Sequence, residues 1–200
     1  MPFLVLNKPN EVLYEIKRSK FHAFAQGVKS RDEAMQVIES RRSVYPDARH
    51  HCWAYLLGFP DQPISMAMND DGEPSGTAGK PMLNVLQHSE VGNIVVVISR
   101  YFGGVKLGAG GLVRAYSSAT QLALNNIDAS PFVEMRYFQL VCQYDNEQFV
   151  RHLLSQVDAS VDTFDYALNV TLTCAIPQTN IDTFSTMCDS HQLVYKLLDT

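Results

Sequence analysis

NIVVVISRYFGGVKLGAGGLVRAYSSA, residues 93–119, decides how the rest of the chain is read. Ile94-Val95-Val96-Val97-Ile98 is an unbroken apolar, mostly β-branched run, the pattern of a strand buried on both faces. Gly103, Gly104, Gly108, Gly110 and Gly111 then place five glycines within nine residues. From Leu112 onward Val113, Ala115, Tyr116, Ala119 and Leu122 recur at helical spacing. The stretch is therefore strand, glycine-rich turn, helix, with Arg100, Lys106 and Arg114 spread along it. Glycine admits positive φ and close backbone approach, and both Gly103 and Gly110 are expected at such positions. A helix start offers unpaired N–H groups and the positive dipole end, so its natural guest is an anion. The alternative is a tight turn packed on neighbouring strands.

Working outward, residues 14–25 contain an alternating strand with Phe21, Ala23 and Ala25 on one side. Ser30 caps a helix whose first turn carries Asp32 and Glu33 and whose stripe is Ala34, Val37 and Ile38, closed by Pro46. Residues 52–58 and 64–68 pair as a hairpin, residues 69–79 are a polar glycine-bearing loop, and residues 80–88 form a short helix. The central helix runs to about Asn126. Residues 125–131 have linker composition, which sets domains at 1–128 and 132–200. Beyond the linker the order is strand (133–144), helix (146–156), two strands meeting around Asp165, helix (180–191) and strand (193–198). This β-α-β-β-α-β order is ferredoxin-like, and the fold class is α+β with two domains.

The net charge of −5 argues against indiscriminate nucleic-acid binding. Residues 1–127 nevertheless hold 13 Lys and Arg against 11 Asp and Glu, whereas residues 128–200 hold 3 against 10. Attraction to phosphate must come from the first part. Four scattered cysteines have no zinc-like spacing and fit a reduced, cytoplasmic protein. Neither a signal peptide nor a membrane-length apolar run is evident, so no membrane partner is expected.

Three blocks carry a family resemblance. Residues 100–116 (RYFGGVKLGAGGLVRAY), residues 70–83 (DDGEPSGTAGKPML) and residues 47–52 (DARHHC) together resemble the signature of the IMPACT family, in its bacterial YigZ-like branch. The resemblance implies an N-terminal domain with the fold shared by a ribosomal small-subunit protein and the GHMP small-molecule kinases. It also implies a C-terminal ferredoxin-like domain similar to one in translational elongation factors. Eukaryotic members act in regulating translation initiation under stress through an extra N-terminal module. That module is not expected here, because the first strand follows almost at once.

The expected function is a non-catalytic cytoplasmic binding protein connected with translation, contacting RNA or another phosphate-bearing ligand, with RNA or ribosome-associated factors as partners and no DNA sequence specificity. The candidate anion surface comprises Arg100, Tyr101, Gly103, Gly104, Lys106, Gly108, Gly110, Gly111, Arg114, Lys80 and His50. Lys80 is included on the expectation that its helix start converges with that of the central helix. Tyr101 is expected outward, available for base stacking, and Phe102 inward. Asp70, Asp71 and Glu73 have three readings: solvated loop acids, Mg²⁺ ligands, or partners of Arg100, Lys106 or Lys80. His50 and His51 fall on opposite strand faces and cannot readily share a metal. No resident metal or cofactor is expected. Two alternatives remain, an enzyme acting on a phosphorylated small molecule or nucleotide, and a protein–protein adaptor. For the enzyme, Ser117 and Ser118 follow Gly111-Leu112 at a looser spacing than in a GHMP phosphate turn.

Overall fold

The computed structural model describes residues 3–125 and 127–198. The chain divides into two compact units, residues 1–132 and 133–200. It is mixed α+β in both.

The first unit is built on an antiparallel sheet of five strands: β2 (Asn10–Ile16), β3 (Ser19–Gly27), β4 (His50–Gly58), β5 (Pro63–Asn69) and β6 (Ile94–Tyr101), in the order β2-β3-β6-β4-β5. β6, the run that opened the sequence reading, is the central strand and is buried from Ile94 to Arg100. Its even-numbered residues Ile94, Val96 and Ile98 meet α2 (Gly79–Gln87) and α3 (Ala109–Leu124) through Met82, Leu86, Leu112, Ala115, Tyr116 and Ala119. Val95 and Val97 face the other way, against Ala34, Val37 and Ile38 of α1 (Arg31–Val44). A strand apolar on every residue is thus explained by helices on both faces. Ser30 caps α1 by accepting a hydrogen bond from the Glu33 N–H.

Two features depart from the sequence reading. The stretch around Tyr14–Ala25 is not one strand but parts of two, joined by a two-residue turn at Lys17-Arg18 with φ of 47° and 66°. Such hairpin turns are usually signalled by Asn-Gly or Asp-Gly, and here no glycine marks it. The residues read as linker include β7 (Ala129–Pro131), which pairs antiparallel with β1 (Leu4–Leu6). Asn126, where the central helix was expected to end, lies outside the described residues; α3 ends at Leu124.

The second unit carries β8 (Met135–Cys142), α4 (Glu147–Gln156), β9 (Ser160–Tyr166), β10 (Val170–Pro177), α5 (Ile181–Ser190) and β11 (Val194–Leu197). The sheet order β11-β8-β10-β9 is the ferredoxin-like one. Its core packs Phe138, Leu140, Leu172 and Ile176 against Leu153 and Leu154 of α4 and Phe184 of α5. The β9–β10 connection falls at residues 167–169 rather than at Asp165.

Candidate functional site

Strand pairing sets the site. β4 lies beside β6 with His50 opposite Arg100 and His51 opposite Ser99. His50 and Arg100 therefore share the face that carries α2 and α3, and His51 and Ser99 share the α1 face. His51 is buried there, with Nδ1 2.9 Å from Ser99 Oγ. Burial holds its pKa below the ordinary value, and the Arg42 cation adds to the effect.

The loop between β5 and α2 is fixed by its own acids. Asp70 Oδ1 accepts hydrogen bonds from the backbone N–H groups of Ala78 (3.0 Å) and Gly79 (2.8 Å), and Oδ2 accepts from Gly76 (2.7 Å). One carboxylate thus closes the start of α2. Asp71 accepts from Arg42 Nη2 (2.7 Å) and from the His51 N–H (2.6 Å). Burial alone would raise its pKa, but those hydrogen bonds outweigh burial and hold the carboxyl below its usual range. Glu73 turns inward. Its Oε1 pairs with Arg100 Nη1 and accepts a 2.9 Å hydrogen bond from the Tyr116 hydroxyl of α3. Arg100 is 6% exposed and Glu73 8%, so this is a buried pair. Cys52 Sγ lies 3.2 Å from the same tyrosine oxygen. Burial pushes both the Cys52 thiol and the Tyr116 phenol well above their ordinary pKa values.

These placements correct the solvated and Mg²⁺ readings of the loop acids: the three carboxylates go to three separate sets of protein partners. The pairing expectation is realised for Glu73 with Arg100. Asp71 instead takes Arg42, a residue the sequence reading did not consider. Among the described residues no group of three His, Cys, Asp or Glu side chains is arranged to hold a metal ion.

Next to the buried pair a cavity of about 370 Å³ opens, lined by Arg49, His50, Glu73, Pro74, Arg100, Phe102 and Lys106, with Leu107, Gly108, Ala109 and Leu112 of the glycine segment. His50 Nδ1 sits 2.8 Å from the Asp71 carbonyl oxygen, so Nδ1 carries the proton. The start of α3 borders the cavity. Its cap residue is Gly108, at φ 73°, with no side-chain hydrogen bond to the helix. A Cβ there would meet nothing within 4 Å, so the glycine is required by backbone conformation and not by crowding. Gly103 is the opposite case: its φ is not positive, but a Cβ would fall 2.0 Å from the Arg18 carbonyl carbon. Gly110 needs neither positive φ nor extra room, since the nearest atom to a Cβ would be Arg114 Nη1 at 3.7 Å. The expectation of positive φ at Gly103 and Gly110 is corrected; Gly104 and Gly108 have it.

The Impact N-terminal domain matches residues 17–124, a span that contains every residue of this cavity, and a domain of unknown function (DUF1949) matches residues 140–187. An IMPACT family member from Haemophilus influenzae is 39% identical over 188 residues, covering 92% of this chain and 91% of the relative. The chain belongs to the IMPACT family. IMPACT family member YigZ of Escherichia coli is also 39% identical, over 92% of this chain and 90% of its own. A crystal structure of a protein described as hypothetical, 37% identical, matches all of this chain and 98% of its own with a TM-score of 0.73.

Within this IMPACT chain the predicted surface is only partly assembled. Arg100, Lys106, Gly108 and His50 line one cavity, together with Arg49. Lys80 does not join them; it lines a separate cavity of about 670 Å³ with Val113 and Ser117. The two helix starts do not act on one guest, because Asp70 occupies that of α2. Arg114 is exposed one turn along α3, its guanidinium lying back toward Gly110. Gly111 packs in the same turn, and a Cβ on it would be 3.1 Å from the Leu107 Cβ. Tyr101 is corrected too: it lies on the α1 face beside His22 and Tyr45, half-buried. Phe102, expected inward, is 48% exposed and forms part of the cavity wall. β6 ends at Tyr101, so strand alternation no longer governs residue 102.

Among the described residues no helix is long and apolar enough to cross a membrane.

Proposed function

We propose that the chain is a non-catalytic binding protein connected with translation or its regulation, and that it contacts RNA or another phosphate-bearing ligand at the start of α3. One observation carries the reading: an uncapped helix start, led by Gly108, borders a cavity whose wall bears Arg49 and Lys106 beside the Arg100–Glu73 pair. Free N–H groups and nearby cations suit a phosphate. Membership of the IMPACT family supports the connection with translation, which the resemblance implies for its eukaryotic members. A protein IMPACT homologue of Dictyostelium discoideum is 36% identical over 95 residues, 46% of this chain and 27% of its own. The two compact units serve as the two domains in this reading, with the binding surface on the first.

The test is binding of a fluorescent single-stranded RNA at low salt, followed by anisotropy. Wild type binds, and Arg49→Ala combined with Lys106→Ala weakens binding while the melting temperature stays close to wild type. Arg100→Ala is unsuitable, since it would strand a buried Glu73. No affinity of the wild-type chain for RNA or any phosphate compound at low salt rejects the proposal. A fragment of residues 1–132, which keeps β7, should bind as the full chain does and unfold in one cooperative transition by near-ultraviolet dichroism.

A further inference from the structure

We infer that the cavity beside α3 takes a single nucleotide unit, with its phosphate on the helix start and its ring against Phe102, rather than a run of polynucleotide backbone. This rests on the phosphate reading above and adds what the rest of the ligand must be.

The cavity has two chemical ends. One is cationic, with Arg49 and Lys106; the other is apolar, with Phe102, Leu107 and Leu112. A flat ring joined to a phosphate matches both. Phe102 is large, half-exposed and has the Arg100 guanidinium 5.9 Å from its ring centroid, an aromatic surface of the kind on which bases stack. At about 370 Å³ the space is in the range of small-ligand sites.

A further observation concerns a polar group that the fold leaves unexplained. Arg100 gives Nη1 to Glu73, but its buried Nε has no hydrogen-bond partner among the described residues. A buried donor without an acceptor is costly, so an arginine in this state on a cavity wall is poised for a polar guest. Arg49 and Lys106 form no salt bridge among the described residues, and two free cations beside one helix end suit one phosphate group better than a long strand.

The experiment is calorimetry with nucleoside 5′-monophosphates, the matching nucleosides, ribose 5-phosphate, inorganic phosphate and a short single-stranded RNA, each at several salt concentrations. The monophosphate should bind, displace the RNA, and outbind both the nucleoside and ribose 5-phosphate by about tenfold or more. Its affinity should fall with salt far less steeply than that of the RNA, because a free monophosphate has no condensed counterions to release. Phe102→Ala should weaken the nucleotide about tenfold and leave inorganic phosphate unchanged. Lys106→Ala should weaken every phosphate ligand at a melting temperature close to wild type, which separates binding from folding. RNA that binds tightly and is not displaced by any monophosphate overturns this inference and leaves the RNA-contact reading standing. Binding of neither overturns both. Equal affinity for nucleotide and ribose 5-phosphate overturns the ring contact, and wild-type affinity in Lys106→Ala overturns the placement of the phosphate beside the helix start.

Discussion

The first turns of α2 and α3 lie in the same unit, each follows a glycine-bearing loop, and they end differently. At α2 an internal carboxylate, Asp70, takes the backbone N–H groups of Gly76, Ala78 and Gly79. At α3 the cap is a glycine with no side chain to offer, and the next residues are Ala109, Gly110 and Gly111. Both starts present the positive end of a helix dipole and orphan donors, fewer at α2 because Pro81 has no N–H. One has its anion built in; the other has a cavity with Arg49 and Lys106. The difference teaches that a glycine-rich loop before a helix is not itself a binding signal. What counts is whether a nearby acid already fills the place.

The comparison can be broken most severely at the pair that ties the two helices together. Glu73→Ala leaves Arg100 buried without its carboxylate and removes the acceptor of Tyr116. A loss of about 3–5 kcal/mol is expected, measured by denaturant unfolding; a change under 1 kcal/mol would mean the pair is solvated. Asp70→Ala comes next, at about 2–3 kcal/mol, because three N–H groups lose one acceptor. The same variant sharpens the contrast: with its start vacated, α2 should gain a phosphate-dependent rise in melting temperature beyond that of wild type. Equal phosphate responses would show that the two starts were never alternatives.

Acid should act in two stages. The folded pKa of His51 is lowered, chiefly by burial, so the unfolded chain takes up that proton first. Its contribution is fully present above about pH 6.5 and declines as pH falls below that value. Asp71 is also depressed, by Arg42 and the His51 N–H against the effect of burial. Its contribution is present above about pH 4 and is lost below it. Melting followed from pH 8 to 3 should show both declines, with Asp71→Asn removing the lower one. The smallest effect belongs to the open helix start. Arg49→Ala with Lys106→Ala, both exposed, should shift stability by less than about 0.5 kcal/mol, and a larger loss would make them structural.

Much of the fold was legible because its signals are local. The all-apolar β6, the Ser30 cap and the alternating order of residues 133–198 each depend on neighbouring residues alone. The Lys17-Arg18 turn was not legible, since positive φ at both residues is imposed by pairing of the flanking strands. Nor was β7, whose three residues carry turn-like composition and become a strand only against β1. In the site, His50 and His51 were separated correctly by strand alternation. Alternation failed at Phe102, one residue past the strand's end. The burial of Arg100 with Glu73 could have been suspected, because Arg100 follows directly on five core residues and Ser99. The capture of Asp71 by Arg42 joins α1 to a loop 29 residues later and leaves no trace in spacing.

The β1–β7 ladder has a consequence for synthesis. Leu4 pairs with Pro131 and Leu6 with Ala129, so a strand made among the first residues waits for one made about 125 residues later. Until then β1 has only the short tie of Leu4 to Glu90 and Gly92. At ~5–20 residues per second, a ribosome leaves that edge open for roughly 6–25 seconds after the Leu4–Leu6 segment is made. A chain truncated before Ala129 would hold every strand of the central sheet and an unclosed apolar end.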